Sequence, residues 1–506
     1  MRTIKTLLPL FLIVLFAFSA NAQEINASIK DFKTKEPIPY VTVLAGKKKG
    51  VITNEEGRFS LSIEKAKKTD SLYISCVGYE SFSKLITEFK DSIVFLHPKT
   101  IELNEVIVSN KNYTAEEIID FVKDSLDKNY NKDLSKKKLF FRESYHQNLD
   151  KTNYTFMKST IDELNKPFLD SILRSVPKRD DFYNEMLCEL YGNYEQGKQK
   201  IDIIKACNLY DESTSLDLDK LEERFNDIIK KNVKPNSYFK IKSGIFGTKV
   251  DADEMGLVEA EKDSAALKKE LEERKKREAS RKSHFATRKK SELMSQLKNL
   301  IFMEDTPLNV IEKSGRYRFT LQEYTYLGDE PVYVLDFEPK RGADYRGRMY
   351  VNMDDFAIIR IDYDNVKPLR SIKLLGISFK EHIAQGKMIF SKGENDKYNL
   401  RFYERITGNK AGIRRPLKII EKNKIVKGKN RQNELYVKID MGVTSVNKYE
   451  IVVFDAEPLT SGQYSSFTEK SNVIVKKLKK YDPEFWKGYN IIEPNQAIRD
   501  FTATEE

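Results

Sequence analysis

The stretch Gly50-Val51-Ile52-Thr53-Asn54-Glu55-Glu56-Gly57-Arg58-Phe59-Ser60-Leu61-Ser62-Ile63 holds two short apolar runs on either side of one tight turn. Glu55-Glu56-Gly57 makes the turn, and Arg58 to Ile63 alternates polar with apolar side chains, the period of a strand that buries one face. Upstream, Ile25 to Ile29 alternates in the same way, Lys35-Glu36-Pro37 turns the chain, and Tyr40 to Leu44 is a β-branched run. Downstream, Leu72-Tyr73-Ile74-Ser75-Cys76-Val77 alternates once more. Turn signals spaced by roughly 8–12 residues predict a β-sandwich over residues 23–109. Gly46, Gly50, Gly57 and Gly78 stand where turns of positive φ are expected.

Three landmarks occur in order: Pro37-Ile38-Pro39-Tyr40-Val41-Thr42-Val43, then Gly50 to Phe59, then Ser75-Cys76-Val77-Gly78-Tyr79-Glu80. In these the segment resembles the carboxypeptidase-regulatory-like domain, a small transthyretin-like β-sandwich found at the N-terminus of exported and outer-membrane proteins of Gram-negative bacteria. The resemblance implies a folding and docking module without an active site. Ile101 to Val108 also resembles the junction that follows this domain in TonB-dependent transporters. The lysine-rich text after it has neither a plug signature nor a long series of ~10-residue alternating strands, so the expectation is a last sandwich strand and a linker.

Residues 1–22 read as a secretory signal: a basic start at Arg2 and Lys5, an apolar run from Leu7 to Phe18, and small residues at Ala20 and Ala22. The apolar run is shorter than the roughly 20 residues a spanning helix needs. The mature chain is expected to begin at Gln23, without the cysteine that lipid anchoring would require. No later segment reads as a transmembrane helix. The expected location is the periplasm or the outer-membrane surface.

Net charge is +11 over 506 residues, which raises nucleic acid or an anionic surface as partners. The segment from Lys268 to Lys290 alone carries eleven Lys/Arg against four Glu. Its one Phe, Tyr or Trp, Phe285, does not make the interleaved aromatic series that a base-stacking platform would demand, so nucleic acid is not expected. Residues 253–300 are read as a charged helix or a partly disordered insertion, because Leu271 to Phe285 encloses no large aliphatic residue for a coiled-coil seam. Of the three cysteines, Cys188 and Cys207 form the one pair near enough in sequence to bridge, while Cys76 reads as a small buried hydrophobe.

Chemistry-bearing motifs are missing. His97, His146, His284 and His382 are the only histidines, none followed by Glu at the third position, which argues against a zinc peptidase. There is no Gly-x-Ser-x-Gly elbow, and Gly244-Ile245-Phe246-Gly247-Thr248-Lys249 matches neither phosphate-binding pattern, so it reads as a loop. Asp180-Asp181 and Asp354-Asp355 sit in turn-like contexts. No catalytic, cofactor-binding or metal-ligating residue is assigned, and no cofactor is expected.

From Thr114 the period becomes helical. Ala115, Ile118, Ile119, Val122 and Leu126 share a face, and Thr114 with Glu117 forms a capping box. Within the mixed region 110–252, strands are expected at Leu139 to Tyr145 and Tyr154 to Met157. A second amphipathic helix carries Leu218, Leu221, Phe225, Ile228 and Ile229, capped by Asp217 or Asp219.

Residues 301–506 read as an antiparallel meander, with strands at Arg316 to Tyr326, Val332 to Phe337, Arg346 to Asn352 and Phe356 to Tyr363, and further ones at Lys387 to Ser391, Tyr398 to Arg405, Leu417 to Glu421 and Tyr449 to Phe454. In Tyr333 to Lys340, Tyr345 to Asn352 and Phe356 to Asp362 it resembles the half-barrel of periplasmic lipoprotein carriers. That resemblance implies an acyl chain in an apolar groove lined by Leu335, Phe337, Met349, Val351 and Ile358; the alternative is that these residues form core beneath a packed helix. Tyr481 to Pro494, with the sole tryptophan at Trp486, reads as an aromatic clamp of the C-terminus onto this sheet.

The fold class expected is therefore α+β multidomain: an N-terminal β-sandwich, a helical middle and a half-barrel-like C-terminal meander. The function expected is non-enzymatic, a binding or docking role in the cell envelope with an envelope or outer-membrane protein as partner. The alternatives are a hydrophobic-ligand or lipoprotein carrier, and an envelope hydrolase whose site is not visible in sequence.

Overall fold

A computed structural model describes residues 24–503 apart from 47–48, 65, 100–112, 196, 212, 235, 252–271, 273–283, 341, 394, 429 and 471–472. The signal sequence, the junction at Ile101 to Val108 and most of the charged segment lie outside the described residues. The chain divides into two compact units: one of residues up to Val106 with Thr325–Glu330 and Asp482–Ala497, and one of the remainder.

The smaller unit is built from β1 (Glu24–Asp31), β2 (Thr42–Ala45), β3 (Lys49–Ile52), β4 (Arg58–Ser62), β5 (Ser71–Ser75), β6 (Phe82–Leu85) and β7 (Ile93–Leu96). Strands β4-β1-β7 form one sheet and β3-β2-β5-β6 the other. Ile29 and Leu61 from the first, and Val43, Leu72 and Ile74 from the second, are completely buried, the two inner faces of a sandwich.

The opening motif closes this core. Thr53 Oγ1 accepts from Val41 N at 2.9 Å and donates to Ile38 O at 3.1 Å. Asn54 Oδ1 accepts from Glu56 N and Arg58 N. Gly57 turns at φ +71°, and a Cβ there would stand 2.5 Å from Ile29 O. Gly50 differs from expectation, since it lies within β3 against Leu44 and Val43 O, where close approach rather than φ excludes a side chain.

The aromatic segment also departs from expectation. Its hydrogen bonds run to sandwich residues: Gly488 N to Glu24 Oε1, Ser62 N to Asn490 Oδ1, Asn54 Nδ2 to Pro494 O and Asn495 Nδ2 to Glu55 Oε1. Trp486 and Ile492 are buried within this unit. A segment distant by more than 400 residues completes the sandwich, which no local pattern encodes.

The larger unit is one open sheet with α-helices. Its longer helices are α1 (Ala115–Asn129), α2 (Lys166–Ser175), α3 (Ser213–Asn232) and α4 (Phe285–Leu297). The strands are β8 (Ser135–Ser159), β9 (Arg179–Gly192), β10 (Gln199–Leu209), β11 (Ser237–Ser243), β12 (Phe246–Asp251), β13 (Tyr317–Leu327), β14 (Glu330–Pro339), β15 (Tyr345–Asn352), β16 (Ile358–Asn365), β17 (Arg370–Leu374), β18 (Ile377–Lys392), β19 (Tyr398–Asn423), β20 (Arg431–Pro458) and β21 (Val475–Leu478). The order is β13-β14-β15-β16-β18-β19-β20-β8-β9-β10-β21, with β17 beside β18, β11 beside β19 and β12 beside β11. The path has two ends, so the sheet is not a closed barrel.

The capping box is present, with Glu117 N donating to Thr114 Oγ1 and Thr114 N to Glu117 Oε2, and Ile118, Ile119 and Val122 form the buried face of α1. Other local readings change. The two strands expected between Leu139 and Met157 are one, β8; the loop expected at Gly244 to Lys249 is the turn and second strand of the β11–β12 hairpin, turning at Gly244 with φ +62°. Helix α3 starts at Ser213, so Asp217 and Asp219 lie within its span rather than at its start. The cysteines are unbridged: the β9–β10 register sets Cys188 opposite Ile203 and Cys207 opposite Glu185, several pairs apart.

Candidate functional site

Residues opposite one another on neighbouring strands share a face, and alternate residues along a strand keep it. The registers of the large sheet therefore trace rows across it. One row runs Leu335, Met349, Ile361, Met388, Tyr403, and continues through Ile451, Phe141 and Met186. Every member is fully buried or nearly so, each burial contributing about 1.5–3 kcal/mol.

One residue along, on the opposite face, the row is charged. Asp336, Arg348, Asp362, Lys387 and Glu404 lead to Glu450, Arg142 and Glu185. Arg348 meets Asp336 at 2.6 Å and Lys387 meets Asp362 at 3.3 Å; Lys448 joins Glu404 at 3.1 Å to Glu450 at 3.2 Å. The row passes from half-exposed at Arg348 to wholly buried at Arg142 and Glu185. Burial works against the Arg142 charge, and Glu185 and Glu450 more than offset it, raising its pKa. Opposite charges paired along and beside this row make the face a structural ladder.

The apolar face is covered at one end by α4. Leu293 and Leu297 of the helix are buried, Tyr403 donates to Gln296 Oε1 at 3.4 Å, and Lys289 Nζ pairs with Glu143 and with Glu292. Burial raises the Glu143 pKa, and the Lys289 ammonium opposes that rise. Beyond α4, Phe302 stacks on Tyr130 at 4.8 Å and lies 5.9 Å from Phe390. Leu335, Phe337, Met349, Val351 and Ile358 are at zero exposure in this covered part, so none of the five offers surface to a ligand in this conformation.

At its other end the same face is covered by α2 and α3. Ile161, Leu164, Phe168, Ile228, Ile229 and Phe239 form a buried cluster there. A cavity of about 80 Å³ opens among Leu164, Phe225, Ile241, Ile419 and Leu435. Its polar edge is satisfied: Glu421 accepts from Ser237 Oγ at 2.6 Å, Asn433 Nδ2 at 2.7 Å and Lys234 N at 3.0 Å.

Between the two covers lies an open stretch. Ile372, Phe379, Ala411, Val443 and Leu149 make one row. Leu374, Ile377, Ile413 and Met441 make the next. Strand β19 keeps an unshifted register with β20 from Phe402 to Ile420, so Ile413 shares the face of Tyr403. Exposure reaches 56% at Ile372, 64% at Leu374, 48% at Ile377 and 39% at Ile413. An apolar expanse of this kind, spanning five strands, marks a binding surface more often than a scattered apolar residue does.

The next residues along β19 change the character of the site. Arg415 is 6% exposed and belongs to the apolar face, opposite Ile439. Its Nε donates to Ser243 Oγ at 2.9 Å, a terminal nitrogen donates to Ser243 O, and the guanidinium lies 4.8 Å over the Phe246 ring. This residue escapes sequence reading, since Arg414-Arg415-Pro416 looks like any basic turn; two arginines beside exposed Ile413 were the available signal.

Catalytic geometry is sparse. His146 Nδ1 lies 2.8 Å from Asp181 Oδ1, a cross-strand pair that Arg179 also grips at 2.8 Å. Among the described residues no group of three or more His, Cys, Asp or Glu is placed to hold a metal ion. No helix among them is long and apolar enough to cross a membrane.

Residues 25–108 match the family model of the CarboxypepD_reg-like domain, so this segment is such a domain, as its motifs led one to expect. No curated protein matches the chain. Among solved structures, a DUF1329 family protein from Desulfovibrio piger ATCC 29098 is similar at 9% identity over 65% of this chain and 92% of that one, with a TM-score of 0.17. The Pseudomonas aeruginosa MucA/MucB complex is similar at 6% identity over 66% and 93%, with a TM-score of 0.15. Both scores lie far below the level that marks a shared fold.

Proposed function

We propose that this is a non-enzymatic binding protein of the bacterial cell envelope, and that its ligand is an acyl chain laid on the open part of the apolar face. The observation that carries the reading is the exposed pair of rows through Ile377 and Ile413, continuous with buried apolar rows at both ends. Water against so many aligned aliphatic groups is unfavourable, and a hydrocarbon ligand relieves it. Export to the periplasm or outer-membrane surface is part of the proposal, supported by the charged, apolar and small-residue order of Met1 to Ala22. The N-terminal domain then serves as a module that docks to an envelope protein, as its family resemblance implies.

The test is native mass spectrometry of protein purified from its own envelope, together with displacement of a fluorescent fatty-acid analogue. Co-purifying lipid, and loss of displacement in Ile377→Asp and Ile413→Asp variants that keep their fold, are expected. Lipid-free protein that ignores the analogue overturns the reading.

A further inference from the structure

We infer that the bound chain carries an anionic head and that Arg415 receives it, so that the ligand is an anionic amphiphile. This rests on the acyl-chain reading above and specifies its ligand class.

Strand β19 pairs with β18 as far as Ile413 and with β11 from Lys418 onward. In the interval the turns of two hairpins meet its edge. One is Leu374 to Ile377, with Leu375 at φ 50° and Gly376 at φ 81°; the other is Ser243 to Phe246. Arg414 N donates to Gly376 O at 2.6 Å. A Cβ on Gly244 would stand 3.0 Å from an Arg415 terminal nitrogen, and one on Gly376 3.1 Å from Arg415 Cγ. Both turns thus sit close against Arg415, the Gly376 turn also against the Arg414 carbonyl, 2.2 Å from such a Cβ.

A guanidinium has five donors, and burying it without an anion is costly. Ser243 accepts from two of its nitrogens. Among the described residues no carboxylate pairs with Arg415; the nearby acid, Asp440, is engaged instead by Arg414 at 3.8 Å and by Lys151 at 2.5 Å. Arg415 lies on the face of the apolar rows, one row from Ile413.

The segments around the two turns and Arg415 itself carry one sign of charge. Residues 237–250, 366–380 and 408–418 contain eleven Lys/Arg and no Asp or Glu. Lys242, Lys249, Lys373, Lys380 and Lys410 are exposed, and among the described residues none of them forms an ion pair. Such a field draws an anion. A carboxylate or a phosphate offers the paired oxygens that suit a guanidinium, while its chain lies over Ile413 and Ile377.

The experiment measures binding of decanoate, decyl phosphate and decanol by calorimetry to the full mature chain, wild type and Arg415→Gln. The variant is expected to bind the two anions about tenfold more weakly or worse and to bind decanol unchanged. Arg415→Lys restores part of the loss. A preference for decanoate points to free fatty acid and one for decyl phosphate to a phospholipid head; inorganic phosphate alone is expected to bind far more weakly than decyl phosphate. Equal anion affinity in wild type and Arg415→Gln overturns the inference while decanol binding leaves the acyl-chain reading standing. Failure of all three to bind wild type overturns that reading itself. Should Arg415→Gln not fold, the exposed pair Lys373→Glu with Lys410→Glu serves: weaker anion binding at low salt with decanol unchanged supports the inference, and no change overturns it.

Discussion

Arg142 Nη2 stands 2.7 Å from Glu185 Oε1 across the β8–β9 ladder, with both side chains out of solvent. Removing one partner strands a buried charge, so Glu185→Gln is expected to cost about 3–5 kcal/mol. Arg142→Met with Glu185→Leu should recover most of it, because Glu450 keeps Lys448. Urea unfolding of the single and double variants checks this; a double variant as unstable as the single would show that packing rather than charge fails.

Lys137 is 4% exposed, bonded to Ser135 Oγ and 4.8 Å from the Tyr194 ring, and burial pushes its pKa down to about 8. Unfolded, the amine titrates near 10.4. Between those values the unfolded chain holds the extra proton, so stability rises with pH across that window and the full penalty is present below pH 8. Lys137→Met should therefore be more stable by about 2–3 kcal/mol at pH 7, with the gap closing towards pH 10. Paired thermal melts across this range measure it.

Trp486 is buried in the smaller unit beside the strap that bonds Glu24, Asn54 and Ser62. Trp486→Ala is expected to cost about 3–5 kcal/mol there. Hydrogen exchange should show protection lost in β1 and β4 and retained in β18 to β20.

Cys76, Cys188 and Cys207 are buried, and burial raises the Cys188 and Cys207 thiol pKa values well above the ordinary range. No thiol should react with a thiol-specific reagent in native protein, and three should react after denaturation. Two unreactive thiols after non-reducing denaturation would reveal a disulfide.

Legibility differed with the reach of the physics. Thr114 with Glu117, or Asn54 with Glu56 and Arg58, act within five residues and were readable as caps and turns. Strands β19 and β20 run for 26 and 28 residues, far beyond the usual five or six. Their charged face broke the apolar alternation into the short pieces seen in sequence. The candidate groove residues were recognisable as inward-facing, because period two determines the face. Whether a helix lay over that face was not written in them.

By itself the sequence determined the sandwich, the capped helix and the two-faced character of the long strands, since each follows from period, turn chemistry or a neighbouring side chain. Only the tertiary structure decided where the apolar face is open, that Asp482–Ala497 returns to the smaller unit, and that Arg415 meets two hairpin turns rather than an acid. Those outcomes depend on strand order and on which distant segment covers which face, quantities that register and packing set and that no local run of residues encodes.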